Sequence, residues 1–453
     1  MNSVTLNRLV SEDVFYKAVM GLILGMPVLE LVTEILFRIT GNVIPSSFEP
    51  VMLALFGIAG TILTVLYFIL SIPLKQKLRS ADIFYLTLVF FMIISAVFSL
   101  NPGVFSGGDF NRCEHPLHFL AYYWLFFAGS LIDDPKYRKN ILLSFLAVAV
   151  LESIFAFLQT FNIELAYCYL YRADRSAYGL TQNSNYYGGL CVTLLACVSG
   201  LYIFFDSIAS SKVFRFALPA ISAFLFYTMI GSRARLAWVG FAALIIFYVI
   251  SFIVMCRKAE DKAVIRSAVK RSLILVGAFF IVFWIAFFFT DYIREVSERS
   301  YWEVANGNVE MMGSRRTYVW KMGLESVPKN WLTGVGLDNF EHVFTSNPDF
   351  QEGMYMKDKA HNEYIQILVT QGIPALINYL ALLIYTCVGA VKNVIRETSQ
   401  EKRAITWILL GMFIAYISQA IFNNSITYVA MNFWLVLGLL IPRSTAKLTR
   451  RKV

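Results

Sequence analysis

The stretch Ser272–Phe289, SLILVGAFFIVFWIAFFF, runs for eighteen residues without a charged side chain. At about 1.5 Å per residue, some 20 apolar residues in a helix cross the hydrocarbon layer of a bilayer. A helix apolar on all sides has no face for water, so this run reads as a membrane span over roughly 272–290. Eleven more runs of the same character lie at roughly 15–37, 51–72, 82–100, 117–132, 140–161, 186–205, 215–231, 236–255, 373–391, 404–421 and 426–442. Those at 117–132 and 426–442 are short for a span. The first run is longer than a signal-peptide core and is not followed by a small-residue cleavage site, so it is expected to remain in the mature chain.

Composition agrees with this reading. Of 453 residues, 58% are hydrophobic and 15% charged, and 39 Phe outnumber the 30 acidic residues. Soluble domains carry about 45–50% apolar and 25% charged residues. No soluble core of this length buries so much apolar surface. Lipid must be the solvent, which excludes a soluble enzyme, a disordered chain and a nucleic-acid binder despite the formal charge of +9.

Charge gives the expected orientation. With the N-terminus inside, the inner loops and tails hold 25 of the 39 basic residues, while the short outer loops hold six: Arg38, Arg112, Arg172, Arg175, Arg233 and Arg235. The excess of Lys and Arg on one side places both termini in the cytoplasm. Most of the net charge is then topology signal and contact with anionic lipid. Of six cysteines, only Cys113 and Cys168 fall in outer loops, where a disulfide and two free thiols are both open. No CxxC pair or histidine cluster suggests a metal, and no cofactor is expected.

The chain divides into a membrane part over 1–290, an outer loop over 291–361, and a second membrane part with a basic tail over 362–453. The outer loop is the one long connection, and long connections in compact proteins are usually functional. A helix is expected over Ser314–Val327, with Ser314 as N-cap and Pro328 as terminator. Trp302, Trp320, Trp331, Tyr301 and Tyr355 offer flat faces for sugars, or simply an aromatic belt at the membrane surface.

Polar clusters gather at the outer ends of the spans. Gly231-Ser232-Arg233-Ala234-Arg235 joins the seventh and eighth spans almost without a loop; its arginines either snorkel to the headgroups or hold an anion. Gly313-Ser314-Arg315-Arg316-Thr317-Tyr318-Val319-Trp320 precedes Gly334-Val335-Gly336-Leu337-Asp338-Asn339-Phe340. Arginine forks and glycine N–H groups can cradle phosphate oxygens, although a lone GxG is more often a turn. His361-Asn362 opens the tenth span, either as a cap or as a base at neutral pH. Asn183 and Asn185, before the sixth span, form a fourth and weaker cluster that an N-cap would equally explain.

These motifs together resemble the O-antigen ligase and O-antigen polymerase superfamily. The family's His-Asn, nine residues, then Gly is met by His361-Asn362 and Gly372, with Ala375 where a small or hydroxyl residue is usual. Its Ser-Arg pair matches Ser232-Arg233, and its Arg-x-x-x-Trp followed by Gly-x-Gly-x-x-x-Phe matches Arg316, Trp320, Gly334, Gly336 and Phe340. Its Asn-Pro-Asn is approximated by Asn183-Ser184-Asn185.

The resemblance implies an all-α polytopic membrane glycosyltransferase of GT-C-like architecture, in the bacterial inner membrane, with its site on the outer face. It implies metal-independent, inverting transfer of a glycan from an undecaprenyl-diphosphate carrier to an acceptor hydroxyl. His361 would be the base, and Arg233 and Arg316 the cations that meet the departing diphosphate. Arg315, Arg235, Asn362, Gly334, Gly336, Asn183 and Asn185 would bind substrate. Expected partners are the lipid-linked donor, a glycan or lipid-linked acceptor, membrane lipid, and a chain-length regulator or flippase of the same pathway. The reading leans to a polymerase of O-antigen, capsule or exopolysaccharide, with ligation to lipid A core or to protein as alternatives. Two rivals stand outside the family. A flippase or transporter would place polar groups near the midplane in repeated halves. A metal-using glycosyltransferase would need acidic pairs in the first outer loop, which offers only Glu49.

Overall fold

The computed structural model describes residues 11–40, 48–71, 77–100, 115–163, 176–181, 183–257, 261–305, 312–346, 356, 358–424 and 427–441. All regular structure among them is helical. The helices are α1 (Glu12–Thr40), α2 (Phe48–Ser71), α3 (Ser80–Val97), α4 (Pro116–Leu131), α5 (Pro135–Gln159), α6 (Ser184–Phe204), α7 (Phe214–Gly231) and α8 (Arg235–Arg257). They continue as α9 (Lys262–Phe289), α10 (Tyr292–Ala305), α11 (Met312–Ser326), α12 (Glu363–Arg396), α13 (Gln400–Gln419) and α14 (Thr427–Leu440). Asp134 and Asp261 cap α5 and α9 by accepting from the N–H groups of Lys136 and Ala263, and Pro116 and Pro135 begin their helices where no N–H is needed.

Ten of these helices are long and apolar enough to cross a membrane, which makes the chain a polytopic helical membrane protein. The two short runs in the sequence are the exceptions: α4 has 16 residues and α14 has 14. Their surroundings explain this. Every residue of α4 from Ala121 to Ser130 is buried, and α4 and α14 pack together. A helix enclosed by other helices need not match the bilayer thickness, because it meets no lipid.

Two helices act as hubs. Around α4 pack α1, α2, α3 and α14; around α6 pack α5, α7, α8 and α13, and α12 bridges the groups through α3, α13 and α14. Small residues allow close approach. A Cβ on Gly438 of α14 would collide with the Phe126 carbonyl of α4, and one on Gly60 of α2 with the Trp124 ring. Between α9 and α12 lie α10, α11 and a small separate core of Val319, Met322, Val335, Phe340, Val343, Phe344, Ala360 and Val369. The helix expected from Ser314 begins instead at Met312, so Ser314 lies within α11, and Pro328 belongs to a 3-10 turn just beyond it.

Candidate active site

At one end of the bundle lie two turns and the helix α11. The first is the turn between α7 and α8. Arg233 takes a left-handed backbone there, with φ 55°. Its Nη1 lies 2.5 Å from Glu295 Oε2 of α10, and its guanidinium sits 4.9 Å from the centre of the Tyr292 ring. Its Nε is buried with no hydrogen-bond partner among the described residues. Arg235 is gripped at both Nη atoms by the Glu303 carboxylate, at 2.6 and 3.1 Å. Helix α10 therefore lays two carboxylates on the arginine turn.

The turn is held from behind by a buried, non-helical segment over 176–181. Ala177 N–H donates to the Gly231 carbonyl. The Gln159 amide accepts from the N–H groups of Tyr178 and Gly179 and donates to the Gly179 carbonyl, while Glu152 accepts from Leu180 N–H. Backbone that leaves helical geometry inside a membrane protein must find such partners. The same segment leads to Asn183, which caps α6 by accepting from Asn185 N–H at 2.9 Å.

The second element is α11. Arg316 and Trp320 are four residues apart and share a face. Arg316 Nη1 donates to the Phe422 carbonyl at 2.7 Å, and Trp320 Nε1 donates to the Ala360 carbonyl at 2.8 Å. The Trp320 ring also lies 6.1 Å from that of Phe422. One face of α11 thus clamps the end of α13 to the residue preceding His361. Arg315 is exposed on a left-handed backbone of φ 65°.

The third is the entry to α12. His361 is half-buried with φ 50°. Asn362 Oδ1 accepts from Ile365 N–H at 3.0 Å, so the asparagine is the helix cap. On one side of this turn, Lys359 and Asp338 form a buried ion pair at 2.5 Å; on the other, the buried Glu363 carboxylate accepts from Tyr379 at 2.5 Å and Tyr416 at 2.7 Å. Removing one partner of a buried pair typically costs about 3–5 kcal/mol. The imidazole is therefore carried on a rigid mount.

The glycines do something other than cradle phosphate. Helix α12 breaks at Gly372, with φ 88° and ψ 172°, two residues before Pro374. The loop over 330–336 fills the break. Val335 N–H donates to the Val369 carbonyl, Gly336 N–H to the Thr370 carbonyl, and Ile373 N–H to the Trp331 carbonyl. Gly334 N–H donates to the Asn330 carbonyl. The N–H groups of Gly334 and Gly336 are thus engaged within the protein and are not presented to an anion. A Cβ on Gly334 would strike the Thr370–Gln371 backbone, and one on Gly372 would lie 2.6 Å from the Leu332 carbonyl oxygen. The spacing from Asn362 to Gly372 measures the helical stub between its cap and this plug.

Backbone strain concentrates at these connections. The non-glycine residues of positive φ among the described residues are Asn162, Arg233, Arg315, Asp338 and His361. Such a conformation costs about 1–2 kcal/mol per residue and persists where the surroundings enforce it, often at functional sites. Three of the five were picked from the sequence as candidate site residues. The reading from sequence missed the carboxylates Glu295 and Glu303, and the buried amides Gln419, Asn423 and Asn424. The amides did leave a signal, since polar residues at the end of an apolar run are costly in lipid. The carboxylates left none, because acidic residues on an amphipathic helix look like an ordinary wetted face. Tyr355, Cys113 and Cys168 lie outside the described residues, as do Arg172 and Arg175.

The fold and its turns define a polytopic helical membrane protein with arginine- and histidine-bearing connections gathered at one end. Residues 220–380 match a family model described as O-antigen ligase, and the resemblance to the O-antigen ligase and polymerase superfamily stands on that stretch. It runs from α7 through the arginine turn, α8 to α11 and the break in α12, and so includes Arg233, Arg316 and His361. Asn183, Gln419 and Asn424 lie beyond it. No curated protein matches the chain.

Proposed function

We propose that the chain is a membrane glycosyltransferase that moves a glycan from an undecaprenyl-diphosphate carrier to an acceptor hydroxyl on the outer face of the bacterial inner membrane. The observation that carries this is the clamp of α11, which sets Arg316 beside the mount of His361 inside a stretch matching the O-antigen ligase model. In this reading both termini are cytoplasmic, 291–361 lies outside, and α4 and α14 span as enclosed helices.

The acceptor hydroxyl attacks the anomeric carbon of the sugar as the bond from that carbon to the diphosphate oxygen breaks, so configuration inverts. The hydroxyl proton passes to His361, and the electron pair leaves on the diphosphate, whose charge Arg233 and Arg316 meet. For this Arg316 leaves the Phe422 carbonyl and Arg233 leaves the Glu295 carboxylate. Arg315, exposed on α11, binds the same anion, whereas Arg235, held by two bonds to Glu303, positions the turn. Asn362, Asn183, Gly334 and Gly336 act through the backbone they shape, and Asn185 stands on the first turn of α6. No step uses a metal ion, so transfer is expected to persist in EDTA.

The polymerase reading has donor and acceptor both as lipid-linked repeats. Incubating the purified protein with one lipid-linked repeat then gives a ladder of longer products. The matching family model is described as O-antigen ligase; in the ligase reading no ladder forms, and the glycan moves to added lipid A core.

A further inference from the structure

Beneath Phe422, whose carbonyl holds Arg316, lies a set of side-chain amides. Gln419, Asn423 and Asn424 are each no more than 1% exposed. Asn423 Nδ2 donates to Gln419 Oε1 at 2.9 Å, and Asn423 Oδ1 accepts from Asn424 N–H at 3.0 Å. That leaves Gln419 Nε2 and both polar atoms of the Asn424 side chain, all buried and without a hydrogen-bond partner among the described residues. Folded proteins rarely leave a whole buried amide unpaired, and where they do an unseen polar group usually completes it. The set packs on the second turn of α6. A Cβ on Gly189 would lie 2.7 Å from Gln419 Oε1, and one on the adjacent Gly188 would lie 2.6 Å from Ala234 Cβ in the arginine turn. The amides thus sit between the two arginine-bearing elements, at the same end of the bundle.

We infer that this amide set is a sugar subsite, in which Asn424 and Gln419 hydrogen-bond the hydroxyl or acetamido groups of the sugar attached to the carrier diphosphate. Neutral amides that offer both donors and an acceptor match such groups and add nothing to the binding of a diphosphate, which takes cations. The inference rests on the transferase reading above. The 3-10 turn Ala420–Phe422 covers the amides, and α11 holds it through Arg316 on the Phe422 carbonyl and Trp320 on the Phe422 ring, so access to the set requires this turn to move. The matching family stretch ends before this set.

The test uses the full chain in detergent with two ligands, a polyprenyl diphosphate carrying the glycan and bare polyprenyl diphosphate. Asn424→Leu replaces an unpaired amide by an apolar group of similar size, and Asn424→Ala, which adds no bulk, is made in parallel. Both variants should raise KM for the sugar-bearing donor about tenfold or more, leave KI for the bare diphosphate unchanged, and keep the thermal midpoint of the free protein at or above wild type. An unchanged KM means that the amides hold only water, and overturns the inference. A lowered midpoint, or equal losses for both ligands, makes the amides structural and also overturns it. The transferase reading fails separately: if Arg233→Ala leaves KI for bare diphosphate unaltered, the arginine turn is not the diphosphate site, whatever Asn424 does.

Discussion

Replacing Glu295 by Gln should make the protein bind its donor more tightly. Arg233 meets Glu295 at 2.5 Å, with side-chain exposures of 19% and 45%. At an effective dielectric of about 40, intermediate between protein surface and water, the gross attraction at that distance is about 3 kcal/mol. Solvent screening, desolvation and side-chain ordering reduce the net value of such half-exposed pairs to about 1 kcal/mol or less. A diphosphate taking Arg233 must first displace this carboxylate, so about 1 kcal/mol, or roughly fivefold in affinity, is withheld from donor binding. The Tyr292 ring under the guanidinium is present in both states and cancels. Glu295→Gln should therefore lower KM for a lipid-linked donor about three- to tenfold, with kcat nearly unchanged and the gain shrinking in high salt. Steady-state transfer in detergent at two ionic strengths measures this. A KM that rises would mean that Glu295 aims Arg233 rather than competing for it, and would refute the displacement reasoning.

Arg233→Ala and Arg316→Ala should each slow transfer by about 10²-fold or more, because an aimed donor to a developing oxyanion is typically worth that much. Lysine should rescue them only in part, lacking the two-pronged contact; Arg172→Ala and Arg175→Ala serve as controls in the same assay. His361→Ala should be similarly damaging, and its pH–rate profile should lose the limb on which activity falls as the base becomes protonated at low pH. Gly334→Ala should lower the thermal midpoint as well as activity, since its Cβ has no room at φ 69° against the Thr370 backbone. Single cysteines at 262 and 308 in a Cys-free variant should differ in intact cells: an impermeant reagent labels 308 and not 262.

The helices were legible in the sequence because lipid leaves a polar backbone no other choice. The run around 272–290 is part of α9, and the runs at 215–231 and 236–255 match α7 and α8 nearly to the residue. Hydropathy alone finds the apolar part of a helix and not its wetted extension, so α12 starts ten residues ahead of the run at 373–391. The stub before the break carries Glu363, Gln366 and Gln371, which lower its hydropathy. The candidate site was legible as motifs and not as geometry. The family resemblance pointed to Arg233, Arg316 and His361, yet it could not say that Gly334 and Gly336 plug the break at Gly372, because that depends on two segments meeting across about 35 residues of chain. Nor does periodicity state which helix covers which turn. The pairs Arg233–Glu295 and Arg235–Glu303 join residues more than 60 positions apart, and only packing reveals them.

The central claim is that the bond between sugar and diphosphate is broken at these turns. The most direct measurement follows a doubly labelled donor, with one label on the glycan and one on the polyprenyl chain, in proteoliposomes holding the purified protein and EDTA. The account predicts that each new glycosidic bond is matched by one polyprenyl diphosphate released, and that both signals fall together in Arg316→Ala. If the two labels stay joined while the intact donor changes leaflet, the protein is a carrier of lipid-linked glycans, and the transferase account is contradicted.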